Sequence, residues 1–272
     1  MNTAIKSTYL LPAALLMLTA CSQQEQPLVE PVQGSGERII FRTSIPESVS
    51  RANEVGIDDI TNFHVTAFNP ADTKFLGADG QINEFVNNEL LAKDPNSTFY
   101  TSDKCLWPER GHEGDRLTFF AYYPDRSAGK TLTPTNASEI SGKNATFRYT
   151  IKDFTVAPDI ADQVDFIAAS ATGTMDDNLF SGVNLNFQHK LSRIEVMAKS
   201  QNKSCKLEIA GVRLGEVFMQ GTYNFKAEEK AGNWTIDQTQ AKKSVEYVFR
   251  SGDKVVALNL SLIHSSEPTR RS

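Results

Sequence analysis

The feature that most restricts this chain is a hydrophobic period of two. Val183-Asn184-Leu185-Asn186-Phe187 alternates without a break, and Ile194, Val196 and Ala198 alternate with Arg193, Glu195, Met197 and Lys199. Successive side chains of an extended chain point to opposite faces, so this pattern buries one face of a strand and cannot form a helical stripe. Similar stretches run over Ile39 to Ile45, Phe63 to Phe68, Leu117 to Tyr123, Ala145 to Ile151, Val164 to Ala169, Lys206 to Val212, Val245 to Phe249 and Val255 to Leu260. Turn-forming residues separate them, as in Ala78-Asp79-Gly80, Ser141-Gly142-Lys143-Asn144 and Ser251-Gly252-Asp253. Many short strands with regular turns predict an all-β, antiparallel sandwich architecture. One helical segment is expected at Ile82 to Ala92, where Phe85, Val86 and Leu90 stand near helical spacing.

Length fixes how many cores such strands can build. At 272 residues the chain reaches the size at which single cores stop growing, and the Gly, Asp and Asn-rich stretch from Gly173 to Gly182 is the natural divide. Two β-rich domains are expected, an N-terminal one over 38–176 and a C-terminal one over 183–261. The formal net charge of −5 and the lack of a clustered basic face argue against nucleic acid as a partner.

The N-terminus departs from this pattern. Lys6 precedes an uncharged apolar run from Tyr9 to Ala20, the arrangement of a secretory signal. As a helix those 12 residues reach about 18 Å, short of the roughly 30 Å of a bilayer core. Residues 1–20 are therefore expected to direct export and then be removed. Residues 21–37 are rich in Gln, Glu, Pro, Gly and Ser, and form a flexible tether. In Leu18-Thr19-Ala20-Cys21 small residues precede a cysteine. This resembles the lipobox of bacterial lipoproteins, which implies lipidation of Cys21 and anchoring to the outer membrane, since several acyl chains hold where one does not.

No catalytic motif is present in the sequence, and no cofactor is expected. His112-Glu113-Gly114-Asp115 is the densest set of metal-ligand types, yet it reads as a solvated turn before a strand. His189 follows a strand without a nucleophile or carboxylate at a defined spacing, so a structural histidine is expected. The acidic pairs Asp58-Asp59 and Asp176-Asp177 read as solvated turns, and Cys105 and Cys205 as free thiols. Trp107, Phe119, Phe120, Tyr122 and Tyr123 form an aromatic cluster that a carbohydrate could stack on, but alternation sends at least half of these rings into a core.

Taken in order, several segments resemble the fimbrillin-like (Mfa-like, FimA-type) lipoproteins of Bacteroidetes. They are the Cys21 lipobox, Ile60 to Phe68, Trp107-Pro108 followed by Leu117 to Pro124, Val164 to Ala169, and Val183 to Val196 around Phe187-Gln188-His189-Lys190-Leu191-Ser192. The resemblance covers roughly residues 38–235. It implies two transthyretin-like sandwiches in tandem and a non-enzymatic role as a cell-surface fimbrial subunit, anchor or tip component. It further implies that an arginine- or trypsin-type protease removes the lipidated segment with the first strand, and that the emptied groove takes a strand from another fimbrial subunit. Ser48-Val49-Ser50-Arg51-Ala52 occupies the matching place, so cleavage is expected between Arg51 and Ala52. The alternative is a non-polymerising, glycan-binding surface lipoprotein using Trp107, Tyr122 and Tyr123. The last residues, 262–272, resemble the translation of a sequencing-adapter read-through, so the second domain is expected to be truncated.

Overall fold

A computed structural model describes residues 36–45, 55–109, 116–159, 162–194, 211–227, 232–248 and 260–262. Its main strands are β1 (Phe41–Ser44), β2 (Asn62–Phe68), β3 (Glu84–Lys93), β4 (Tyr100–Thr101), β5 (Leu117–Tyr123), β6 (Pro134–Asn136) and β7 (Tyr149–Thr155). They continue with β8 (Ile167–Gly173), β9 (Val183–Asn186), β10 (Gln188–His189), β11 (Gln220–Asn224) and β12 (Asn233–Thr235). Eight of these form one sheet in the order β9-β1-β4-β3-β2-β5-β8-β10, and four form a second in the order β12-β11-β7-β6. The all-β expectation holds.

β5 shows why the sheets stack as they do. Its sequence Leu-Thr-Phe-Phe-Ala-Tyr-Tyr has large apolar side chains on both faces, so neither face tolerates water. Leu117, Phe119 and Ala121 point into a first core with Phe63, Val65, Ile167 and Trp107. Phe120 and Tyr122 point the other way, into a second core with Phe68, Phe166, Tyr149, Phe154, Tyr223 and Phe225. The four-stranded sheet supplies Tyr149 and Phe154 from β7 and Tyr223 from β11, and so covers that outer face.

The first core is closed by the larger sheet itself. Its two end strands, β9 and β10, are separated in sequence by Phe187 alone. Covalent continuity therefore brings the first and last strands side by side, and the sheet rolls around its own core. Phe187 is fully buried there, edge-on to Phe63 at 5.3 Å between ring centroids. β9 and β10 pair with β1 and β8, and β11 pairs with β7, so strands on both sides of residues 173–182 share sheets.

The helical expectation for Ile82 to Ala92 is overturned: most of that segment is the ten-residue strand β3. Val86 and Leu91 both face the first core, although an odd spacing of five puts side chains on opposite faces of a regular strand. A bulge supplies the missing residue. The register against β2 shifts beyond Val65↔Glu89, and Asn88 takes a left-handed φ of 44°. Polar side chains hold it there. The Asn88 N–H donates to Thr66 Oγ1 (2.9 Å), its carbonyl lies 3.1 Å from His64 Nδ1, and its side-chain oxygen accepts from the Tyr122 hydroxyl (3.0 Å).

Asp58 and Asp59 lie in an exposed single turn, while Asp176 and Asp177 open the short helix α1 (Met175–Asn178), capped by Thr174 Oγ1 accepting from the Asp177 N–H. Trp107 and Tyr122 are buried in the cores, so neither offers a ring face to a surface sugar. Leu262, where the expected tail begins, stands opposite Ser192 in a short ladder. Residues 263–272 lie outside the described residues.

Candidate strand-exchange slot

β1 is an interior strand, held from both sides. Toward β9 it runs parallel, in the register Phe41↔Val183 to Ser44↔Asn186. The Val183 N–H donates to the Ile40 carbonyl (2.8 Å), and the Phe187 N–H to the Ser44 carbonyl (2.7 Å). On its other side Phe41 stands opposite Tyr100 in β4. The contact continues upstream of the strand, where the Ile39 N–H donates to the Cys105 carbonyl (2.8 Å) and the Trp107 N–H to the Glu37 carbonyl (2.9 Å).

The side chains of this segment divide as its alternation requires. Ile39 and Phe41 are fully buried in the first core, and Ile45 packs against it. Phe41 lies edge-on to Phe119 (5.3 Å) and to Phe63 (6.4 Å). Arg42 faces outward, its guanidinium 4.9 Å from the centre of the Phe99 ring. The Arg38–Asp103 ion pair is mostly exposed, and such pairs contribute little. Each buried side chain, by contrast, stabilises by about 1.5–3 kcal/mol, and each net hydrogen bond by about 1 kcal/mol. Their sum is a large part of a domain's usual stability of about 5–15 kcal/mol. A first core without β1 is therefore strongly biased toward refilling.

Two further residues shape the slot. Gly182 precedes β9 with φ +73°, and a Cβ there would lie 3.2 Å from the Ile40 carbonyl oxygen. Only glycine allows both the left-handed turn and the close approach of β1. Cys105, a free thiol, is buried beside the segment; burial, aided by the charge of Glu89, pushes its pKa up to about 12. It is inert at neutral pH.

Downstream of β1 the chain is pinned at Val55. The Asp165 carboxylate accepts from the Val55 N–H (3.0 Å) with the same oxygen that lies 2.7 Å from His189 Nδ1. Asp165 and His189 side chains are only 11% and 22% exposed. His189 thus has a structural role, and its carboxylate partner was not legible from a separation of 24 residues. Asp165→Ala removes the shared acceptor of two half-buried groups, the Val55 N–H and His189 Nδ1. The local cost is expected to be about 1–3 kcal/mol, read as roughly 10- to 100-fold faster amide exchange at Val55 with the β5 amides unchanged.

Cys21, Arg51, Ala52, His112 and Cys205 lie outside the described residues. Among the described residues no group of three or more His, Cys, Asp and Glu side chains could hold a metal ion. A family model described as fimbrillin-like matches residues 50–262. No curated protein and no solved structure matches the chain.

Proposed function

The chain belongs to the fimbrillin-like family, and from that premise we propose that it is the precursor of a cell-surface fimbrial subunit assembled by strand exchange. Membership points to a structural role and to association with other fimbrial subunits. In the proposed sequence, residues 1–20 direct export, Cys21 carries the lipid that holds the precursor to the outer membrane, and residues 21–37 form the tether. An arginine- or trypsin-type protease cuts between Arg51 and Ala52, which severs β1 from the rest of the fold. A strand of another fimbrial subunit then takes the place of β1.

The observation that carries this reading is the double-sided seat of β1. Its departure would leave unpaired backbone groups on β9 and β4 beside an opened apolar core, and an alternating strand satisfies both at once. The segment between β1 and β2 is also the one covalent link that a single cut must break to free β1 downstream. The Trp107 and Tyr122 rings that would serve a glycan site are buried, so strand exchange is the better-supported reading.

Mass measurement of subunits in assembled filaments tests it. The expected mature N-terminus is Ala52, and filaments are expected by electron microscopy after protease treatment of the full chain. Arg51→Ala is expected to keep the N-terminal segment and prevent assembly. Retention of residues 21–51 in assembled material would overturn the proposal. Arg51→Lys separates the protease classes, because a trypsin-type enzyme still cuts and an arginine-specific one does not.

A further inference from the structure

The geometry points to a slot that chooses its strand, and fixes that strand's register, mainly through the side chain at the Phe41 position; the inference rests on the strand-exchange reading. Along residues 39–42 the environment differs sharply from one position to the next. Ile39 and Phe41 are fully buried, Ile40 is half-buried and Arg42 is exposed. Of the two deep positions, Phe41 alone sits inside a ring cluster. It touches Phe63 and Phe119, Phe63 in turn packs on Tyr100 and Phe187, and Phe119 packs on Trp107. These rings belong to β2 (Phe63), β4 (Tyr100), β5 (Phe119), the 105–107 segment (Trp107) and the junction of β9 and β10 (Phe187), all of which remain when β1 is gone. The cavity they frame is aromatic in shape, and a smaller side chain leaves it partly empty.

The backbone contacts carry no such selectivity. Val183, Phe187, Cys105 and Trp107 contact main-chain atoms of β1 or its upstream extension, which any non-proline strand can supply. They set polarity instead: a strand using the same partners runs parallel to Val183–Asn186. A one-residue slip would place an outward residue such as Ile40 or Arg42 in the ring cluster, which reverses every side chain. The partner is thus a segment of another subunit with a large flat side chain at the position of Phe41, an aliphatic residue two positions before it, and few restrictions at the outward positions.

The test uses the full chain cut within residues 46–54, by trypsin or at an inserted site-specific protease sequence, and labelled synthetic peptides of residues 36–45. The unaltered peptide is expected to replace the bound segment. The Phe41→Ala peptide is expected to do so at least ~100-fold less tightly, while the Ile40→Ala peptide stays within ~3-fold of the unaltered one. Register has its own readout. A Ser44→Cys peptide is expected to form a disulfide with an Asn186→Cys protein, the bridge being located by mass, because these residues stand opposite each other. If the Phe41→Ala and Ile40→Ala peptides bind alike, or the Ser44→Cys peptide binds without bridging residue 186, the selectivity is refuted while strand exchange stands. If no peptide enters, strand exchange itself fails and the inference with it.

Discussion

Phe120→Ala is expected to destabilise the protein by about 3–5 kcal/mol, a large fraction of a domain's usual stability of about 5–15 kcal/mol. Phe120 is fully buried in the middle of β5 and opposes Thr66 on β2 and Ser170 on β8. Its ring stacks on Tyr149 (5.6 Å, 13° between planes) and meets Phe68, Phe147 and Phe225 at 5.5 to 5.8 Å. These partners come from the outer face of one sheet and from the segment that covers it. Little else can collapse into the space, because the neighbouring rings are themselves wedged against one another. Urea unfolding measures the effect, with Leu90→Ala as a control at a half-exposed position, expected within about 0.5 kcal/mol of the parent. A cost for Phe120→Ala below about 1 kcal/mol would mean that the two sheets do not share this packed layer.

The second large effect is alkaline unfolding, driven by the tyrosines of the same core. Burial raises the pKa of Tyr122 to about 12, and pushes Tyr149 and Tyr223 upward still further. For Tyr122 the hydrogen bond to Asn88 opposes that rise, and for Tyr149 the bond to Thr66 does so. A phenol kept neutral by burial holds its proton in the folded chain at pH values where the unfolded chain has released it. The stabilisation is therefore complete below the unfolded value of about 10 and disappears as pH climbs through the folded value. Tyr122 alone, displaced by two pH units, accounts for about 3 kcal/mol of the loss. The expected result is a plateau of stability up to about pH 10, then a fall in which phenolate absorbance and unfolding rise together. Phenolate absorbance that grew gradually, well before the fold was lost, would show that these hydroxyls are open to solvent.

How much of this was legible in the sequence depends on the distance over which each feature is determined. The strand at Leu117–Tyr123 was plain because its apolar residues are consecutive and their faces alternate by local geometry alone. β3 misled for an equally local reason. Phe85, Val86 and Leu90 stand near helical spacing, yet the left-handed Asn88 adds one residue to the ladder, so that Leu91 faces the core and Leu90 is left half exposed. The two-residue strands β4 and β10 are too short to carry any period. For the candidate site, the alternation of Ile39 to Ile45 identified a strand that could fill a groove. Its walls were hidden, since β9 lies more than 140 residues away and pairs in parallel, a relation with no local signature. The Asp165–His189 contact was hidden likewise.

The parallel seat of β1 beside β9 also has a mechanical side. Backbone hydrogen bonds lie across a strand rather than along it, so a pull directed along the strand axis loads all of them together. A pull at right angles would part them one after another, like a zip. With β9 on one side, β4 and the 105–107 segment on the other, and Phe41 keyed into a ring cluster, the strand in this seat is built to resist shear. In a filament built by the proposed strand exchange, tension along the chain would be borne as shear where one subunit's strand rests inside the fold of the next.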